Sequence, residues 1–344
     1  MNARQSRTKL IRSVCFALGV SLLLPIHVRP DTLAVPGIDF AESLFPGDYR
    51  HPDHNPEYLA DKIRSYFTRF PAFKENEPVA PFLGWYDRDI AGTKNAVRAL
   101  KKAIQDGYAA AVFNKRSFNV VAHSWGGVLA YLALQELASE GKNIEVDNFF
   151  TLGTPVGMIP QCGKAESLRA GDRNLPIIKS VVCNHVPQSL RGKPIGRPRG
   201  VKNWVNYYSD GDPVSTKILG VAQNENVGKF GFGILGSRDT ATGVILNHSQ
   251  YYEWEESPDL LGIHGVDRRG FVAEKVLADV AVAIVKSNRQ KRDEATRTAN
   301  IRQESAKAAK CPEPKPKETT GSPIYQEWKQ WLGKHFPGAK TPGC

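Results

Sequence analysis

Apolar residues between positions 31 and 286 follow two patterns that alternate along the chain. Short apolar runs with β-branched residues have the length of buried strands, and longer segments repeat apolar residues at the spacing of a helix face. Strands that alternate with helices predict a mostly parallel sheet covered by helices on both faces. We therefore predict a compact α/β fold with a sheet of about six strands.

The strands predicted from the apolar runs are Asp31–Ile38, Val79–Tyr86, Phe118–Ala122, Val146–Leu152, Trp204–Tyr208 and Gly243–Leu246. A first helix is predicted at Asn55-Pro56-Glu57, because asparagine is a favoured N-cap and proline is favoured at the first helical position. Further helices are predicted at Ala96–Ala109, from Gly127 through Glu140, and at Gly270–Lys286. These elements form one predicted domain, residues 31–286.

Residues 287–344 differ in composition from the predicted domain. Residues 287–310 are polar and helix-permissive, and residues 311–323 are rich in proline, lysine and glutamate, which is typical of a linker. Residues 324–336 contain enough aromatic side chains for a short amphipathic helix. This tail either docks back on the domain or contacts a membrane or a partner.

Residues 1–30 have the pattern of an export signal. Four basic residues within positions 1–12 precede an apolar run, Val14–Leu24, that is too short to span a bilayer comfortably. Residues 25–30 contain no small-x-small cleavage site, so the segment is predicted as a signal peptide or an uncleaved signal anchor. We expect a periplasmic, secreted or membrane-anchored protein; the alternative is that the run is a core strand.

The cysteine residues agree with export. Beyond Cys15 in the leader the chain has Cys162, Cys183, Cys311 and Cys344, an even number that suggests two disulfides in an oxidising compartment. Proximity in sequence favours Cys162–Cys183 and Cys311–Cys344, although four cysteines allow three pairings. The alternative is a cytosolic protein with four free thiols.

The formal charge of +11 is concentrated in the leader, in residues 157–202 and in the tail. A nucleic-acid-binding protein usually carries its basic surface on the domain itself, so we expect no nucleic-acid partner. The sequence contains no phosphate-binding glycine loop. The histidines of His51-Pro52-Asp53-His54 have no further metal ligands nearby in sequence, so we expect no cofactor and no metal.

The segment Ala122-His123-Ser124-Trp125-Gly126 lies between a predicted strand and a predicted helix. A serine hydroxyl is a weak nucleophile, and a strained strand-to-helix turn can lift it clear of the sheet, toward a base and a substrate. Such a turn requires small residues two positions before and after the serine, and Ala122 and Gly126 meet that requirement. We predict Ser124 as a nucleophile; a turn without chemistry is the alternative.

With this motif, residues 31–286 resemble the α/β-hydrolase superfamily, particularly its lipase-like members. Two further segments carry the resemblance, Thr151–Pro155 (TLGTP) after one strand and Asp212-Pro213-Val214 after the next. Ala122 departs from the commoner glycine, a variant also met among small bacterial lipases. The resemblance implies the α/β-hydrolase fold in a compact version that lacks the first two strands of the full sheet.

The resemblance also implies a catalytic triad in the chain order serine, acid, histidine. Asp212 matches the family's acid-Pro-Val pattern, and Asp210 is the reserve. His248 directly follows the last predicted strand, where the family keeps its histidine, and His264 is the competitor. We expect His123 to be packed, because a neighbour of the nucleophile points its side chain elsewhere.

Acyl transfer also needs two backbone N–H groups that stabilise an oxyanion. By family analogy the residue after the nucleophile, Trp125, supplies one of them, and the loop after the first strand supplies the other. Pro36-Gly37-Ile38 stands where lipase-like members have His-Gly-x, so Ile38 is the second candidate. A plain Pro-Gly turn is the alternative.

Residues 157–202 lie between two predicted strands, at a position that overhangs the carboxyl edge of the sheet in this fold. We interpret them as a cap or lid that the predicted Cys162–Cys183 bridge would staple. Its basic residues either attract an anionic substrate or lipid headgroups, or form a solvated face. These residues are Arg191, Lys193, Arg197, Arg199 and Lys202.

The function implied by the resemblance is a serine hydrolase that cleaves carboxylic esters through an acyl-enzyme intermediate. The expected substrates are small-molecule or lipid esters, and the basic segments also fit an anionic membrane surface as a partner. Two alternatives are an acyltransferase that uses the same triad and a catalytically inactive binding protein with the same fold.

Overall fold

The computed structural model describes residues 31–38, 56–76, 79–85, 91–162, 176–210, 212, 214–227, 248, 251–252, 268–308, 327, 330–331 and 333–335. The strands in this part of the chain are β1 Thr32–Val35, β2 Val79–Pro81, β3 Asn119–His123, β4 Val146–Leu152, β5 Val201–Tyr208 and β6 Gln223–Asn226. They form one six-stranded sheet in the order β2-β1-β3-β4-β5-β6, and all neighbouring strands are parallel. The predicted α/β class is confirmed.

The helices in the described residues are α1 Tyr58–Arg69, α2 Thr93–Phe113, α3 Trp125–Ser139, α4 Pro176–His185 and α5 Arg268–Ala308. Two 3-10 helices span Pro71–Asn76 and Val156–Gln161. The prediction that Pro56 opens α1 was wrong, because the N-cap position is occupied by Glu57. α5 extends well past the predicted end, since its last turns are polar and periodicity of apolar residues does not detect them.

The sheet separates two hydrophobic cores, and alternate residues of each strand point into opposite cores. In β3, Val120 and Ala122 pack with α2 and α3, whereas Val121 packs with α1 and α5. α3 is buried on nearly all sides, which explains why its sequence is apolar around the whole helix. Ser124 therefore lies at the junction of a buried strand and a buried helix.

β6 is the strand that apolar patterning missed. Its four residues are polar, two of them half-buried and two exposed, so no apolar run marks them. It pairs with β5 through the backbone, and side-chain hydrogen bonds add to this pairing: Asn206 of β5 donates to the Oδ1 atom of Asn224 at 2.9 Å. Thr151 of β4 continues this row by donating to Asn206 at 2.9 Å. The predicted strand Gly243–Leu246 lies outside the described residues.

A second row of polar side chains crosses the sheet near the amino ends of the strands. Thr32, Asn119, Asn148 and Asn203 occupy paired positions on β1, β3, β4 and β5. Asn119 donates to Thr32 at 3.3 Å, Asn148 donates to Asn119 at 2.7 Å, and Asn203 donates to Asn148 at 3.2 Å. A shift in register would break these buried hydrogen bonds, so the row fixes the alignment of four strands.

The chain forms two compact units, Met1–Lys291 and Arg292–Cys344. The first contains the sheet and both cores. Within the second, the helical residues from Arg292 to Lys307 are mostly exposed, and the ring of Trp331 stacks on His335 with 4.8 Å between centroids. Nowhere in the described residues does a helix have the length and apolarity needed to cross a membrane.

Asn148 lies in the middle of the amino-end row, and replacing it by leucine removes the partners of both Asn119 and Asn203. We predict that Asn148→Leu lowers the free energy of unfolding by about 3 kcal/mol, because buried polar groups lose their hydrogen bonds. Asn203→Leu, at the half-buried end of the row, is the matched control and should cost about 1 kcal/mol. Urea unfolding measures both, and equal losses would contradict the role given to the row.

Asp31 precedes β1, is fully buried, and has its Oδ2 atom 2.9 Å from the Nε atom of Arg116. Burial raises the pKa of Asp31 from 3.8 to about 6, and Arg116 only partly opposes this effect. The folded protein therefore binds the proton more tightly than the unfolded chain does. The resulting stabilisation is complete below about pH 4 and is lost as the pH rises through about 6.

We predict that Asp31→Asn removes this part of the pH dependence of stability. Between about pH 4 and pH 6 the wild type should lose roughly 2 kcal/mol more unfolding free energy than the variant. Urea unfolding at a series of pH values gives the two curves. Parallel curves would show that Asp31 does not titrate in this range.

Candidate active site

The carboxyl ends of β1 and β3 lie side by side at the point where the strand order reverses. From β1 the chain goes to β2 on one side of the sheet and then returns to β3 on the other side. In open parallel sheets the loops leave a crevice at such a point, and ligands commonly bind there. The segment Pro36–Ile38 follows β1, and Ser124 follows β3, so both predicted segments meet at this crevice.

Ser124 occupies the turn between β3 and α3 with φ 53° and ψ −127°. Among the described residues, Lys115 is the only other non-glycine residue with a positive φ. A side chain disfavours this conformation, so surrounding contacts must hold it. One of them is the hydrogen bond from the Ser124 N–H to the Leu152 carbonyl at the end of β4, at 2.9 Å.

Two glycines allow the chain to pack closely around Ser124. A Cβ atom on Gly126 would lie 2.3 Å from the Pro36 carbonyl oxygen, a contact with backbone that cannot move aside easily. A Cβ atom on Gly37 would lie 2.8 Å from the Ser124 Cβ atom and 3.3 Å from its Oγ atom. The loop after β1 thus contacts Ser124 directly. The small residue required two positions after the serine is explained by the close approach of Gly126 to the Pro36 backbone.

Asp212 lies in the loop after β5, with its side chain fully buried. Its Oδ2 atom is 2.8 Å from the Nδ1 atom of His248 and accepts a hydrogen bond from the Tyr251 hydroxyl at 2.9 Å. Its Oδ1 atom accepts a hydrogen bond from the Val214 N–H at 2.9 Å. Both oxygens of this carboxylate are therefore held by donors.

His248 is buried beside the residue that precedes Ser124. Its ring centroid is 4.7 Å from that of His123, and its carbonyl oxygen is 3.0 Å from the His123 Nε2 atom. Because a carboxylate can only accept, the hydrogen bond to Asp212 places a proton on Nδ1 of His248 and leaves Nε2 as its basic nitrogen. The structure thus brings Asp212 and His248 together, next to the turn of Ser124.

The two predicted oxyanion donors flank Ser124. Trp125 is the first residue of α3, and its indole Nε1–H donates to the Thr93 hydroxyl at 3.2 Å, which fixes the ring at the start of α2. Ile38 is buried and follows Gly37, whose backbone contacts Ser124. Thr93 carried no signal in the sequence, because its role depends on a neighbour far along the chain.

The reserve and rejected candidates take other positions. Asp210, the reserve acid, accepts a hydrogen bond from Asn226 of β6 at 2.9 Å, so it is bound to the sheet edge. His123 is packed as predicted, between His248 and the ring of Tyr252. His264 lies outside the described residues, as do His51 and His54. The described residues include no group of three or more side chains that could hold a metal ion.

The insertion formed by residues 157–202, the predicted cap, contains the predicted Cys162–Cys183 disulfide. The sulfur atoms of Cys162 and Cys183 are 2.08 Å apart, and the bond joins the end of the 3-10 helix Val156–Gln161 to α4. His185 at the end of α4 lies edge-on to Trp125, with 6.1 Å between ring centroids. This part of the insertion therefore approaches the residue that follows Ser124. Cys311 and Cys344 lie outside the described residues.

Several basic residues of the insertion bind the protein's own backbone. Arg197 donates to the carbonyls of Val221 and Lys202 at 2.6–3.0 Å. Arg191 donates to the Val186 carbonyl at 2.9 Å and to the Asn184 carbonyl at 3.2 Å. Arg191 thus binds within the insertion, whereas Arg197 binds it to β5 and to the segment that precedes β6. Lys193 and Arg199 are exposed.

Lys202 does not belong to the insertion, and the prediction that groups it there was wrong. It is the second residue of β5, and its Nζ atom is 2.8 Å from Glu145 and 3.1 Å from Asp147. The adjacent pair Val146–Val201 marks the amino ends of β4 and β5. The charge of Lys202 is therefore balanced by two carboxylates, at the edge of the sheet opposite Ser124.

No protein-family model matches the chain, and no curated protein matches it either. The structure itself brings a strained serine, a histidine with its basic nitrogen defined, and a buried carboxylate to one crevice of the sheet. Such a set can activate a hydroxyl as a nucleophile and transfer its proton.

We predict that Gly126→Ala disrupts this site, because the added methyl group meets the backbone of Pro36 and Val35. The free energy of unfolding should fall by about 3 kcal/mol, as for overpacking of a rigid core. Gly196→Ala is the matched control, since its Cβ atom would have only one neighbour, at 3.9 Å. Thermal unfolding of both variants checks the prediction, and equal melting temperatures would contradict the close contact.

Proposed function

We propose that this protein is a serine hydrolase of carboxylic esters, with Ser124 as nucleophile, His248 as general base and Asp212 as the residue that orients the base. The observation that carries the proposal is the 2.8 Å contact between His248 and Asp212 beside the strained turn of Ser124. A structural histidine–aspartate pair would not require a serine with φ 53° on the adjoining turn.

In the proposed reaction, Nε2 of His248 takes the hydroxyl proton while Oγ of Ser124 attacks the ester carbonyl carbon. The carbonyl oxygen becomes an oxyanion, and the N–H groups of Trp125 and Ile38 stabilise it. The bond to the alcohol oxygen then breaks, and His248 gives its proton to the departing alcohol. Water attacks the acyl-enzyme with His248 as base, which releases the acid and restores Ser124.

The fold also supports this proposal. A serine at a sharp strand-to-helix turn, followed along the chain by the acid and then the histidine, is the arrangement of the α/β-hydrolase superfamily. We accordingly propose that the chain is a compact member with lipid or other small apolar esters as substrates. The Cys162–Cys183 disulfide fits the export expected from the leader, because disulfides persist in oxidising compartments.

The test is covalent labelling with a fluorophosphonate, which reacts with activated serines. We predict that the wild type is labelled and that Ser124→Ala abolishes labelling. His248→Ala should slow labelling at least about 100-fold, because it removes the general base. Ser139→Ala, at the exposed end of the same helix, is the matched control and should keep the wild-type rate.

Labelling at a serine other than Ser124, or equal rates in wild type and His248→Ala, would refute the proposed roles. Hydrolysis of nitrophenyl esters of increasing chain length then defines the acyl preference. An alcohol acceptor added to the same assay separates hydrolysis from acyl transfer, since a transferase forms a new ester. A folded protein that binds esters without labelling or turnover would favour a binding function.

A further inference from the structure

Tyr251 is a buried side chain for which the reaction proposed above has no role. The ring is fully buried, and its hydroxyl donates to Oδ2 of Asp212 at 2.9 Å. The same oxygen lies 2.8 Å from Nδ1 of His248. Tyr251 and His248 thus compete for the charge of a single carboxylate oxygen.

The phenol of Tyr251 acts as a permanent donor in this arrangement. Burial and the neighbouring Asp212 carboxylate raise the pKa of Tyr251 well above its ordinary value, while Ser215 and Ser209 oppose the shift. The hydroxyl therefore keeps its proton across the range in which a histidine titrates. Its position is fixed as well, because Gly153 packs on the ring so closely that a Cβ atom there would lie 2.6 Å from Cε2.

We infer that Tyr251 is a positioning residue that withdraws charge from Oδ2 of Asp212 and thereby lowers the pH at which His248 becomes protonated. A carboxylate oxygen that already accepts one strong hydrogen bond attracts an imidazolium less strongly. The base thus remains neutral, and able to accept the serine proton, at more acidic pH. The kinetic part of this inference rests on the proposed function, whereas the titration of His248 does not.

The other titratable or charged groups that face His248 in the described residues leave this assignment intact. At the end of β3, His123 uses its Nε2 atom for the His248 carbonyl rather than for the His248 ring. Tyr252 packs edge-on against His123, with 4.8 Å between centroids. Nδ1 of the His248 ring is hydrogen-bonded to Oδ2 of Asp212, and the Tyr251 hydroxyl donates to the same oxygen.

The experiment is NMR titration of histidine-labelled full-length protein, with His248 assigned by comparison with His248→Ala. We predict that Tyr251→Phe, which keeps the ring and removes the hydroxyl, moves the His248 midpoint to higher pH by about one unit. The acidic limb of kcat/KM for ester hydrolysis should move by the same amount. At a pH below both midpoints, the variant should be about tenfold less active than the wild type.

Tyr207→Phe is the matched control. Tyr207 is also buried, and burial and the nearby carboxylate of Asp279 on α5 raise the pKa of its hydroxyl, so its replacement likewise removes a buried tyrosine hydroxyl near an aspartate. It should leave the His248 midpoint unchanged. A second probe replaces Tyr251 with 3,5-difluorotyrosine, whose more acidic hydroxyl is a stronger donor, and this should move the midpoint to lower pH.

A midpoint that is equal in wild type, Tyr251→Phe and the fluorinated protein would overturn the inference, even if Ser124 hydrolyses esters. A shift in the predicted directions without ester hydrolysis would support the inference and refute the proposed function. If Tyr251→Phe fails to fold, the fluorinated protein decides alone. A merely structural role for Tyr251 would change stability and leave the titration where it is.

Discussion

The first turn of α3 packs closely against the backbone that follows β1, and the geometry around Ser124 depends on that contact. Gly126 has no room for a side chain beside the Pro36 carbonyl, and Gly37 has none beside Ser124. Because β1 and β3 are neighbours in the sheet, the two loops meet without any long excursion of the chain. Backbone packing of this kind holds a strained residue in place more firmly than flexible side chains could.

The two polar rows act on the same geometry from within the sheet. They hold the strands in one register, so that the Ser124 N–H meets the Leu152 carbonyl and the Gly153 N–H meets the Tyr207 carbonyl. Asn288 of α5 extends the amino-end row by accepting hydrogen bonds from both the N–H and the hydroxyl of Ser117 at 2.8 Å. The row is thus tied to a helix that covers the sheet, as well as to its strands.

The sequence was most informative where one physical requirement dominates. The apolar residues of β4 predicted its ends correctly although Asp147 and Asn148 interrupt them, and steric demand made the turn at Ser124 visible through its small residues. Chain order and a short motif pointed to Asp212 and His248, which the structure brings together. For the disulfide, proximity in sequence was sufficient.

Features that depend on contacts between distant residues escaped prediction. β6 is a short polar strand with no apolar run, and Thr93 and Tyr251 have roles only through partners that folding brings near. Lys202 was misplaced because net charge along a segment does not show which residues extend into a strand. Its carboxylate partners, Glu145 and Asp147, lie far away in sequence and reach it only across paired strands.

The contact between His123 and His248 has a spectroscopic consequence. The carbonyl that faces Nε2 of His123 can only accept, so this ring carries its hydrogen on Nε2, whereas the ring of His248 carries it on Nδ1. When both rings are neutral, two imidazoles only 4.7 Å apart are thus held in opposite tautomers. Nitrogen-15 chemical shifts differ between protonated and bare ring nitrogens, so the pair should give two mirror-image patterns that report the integrity of the site without any substrate.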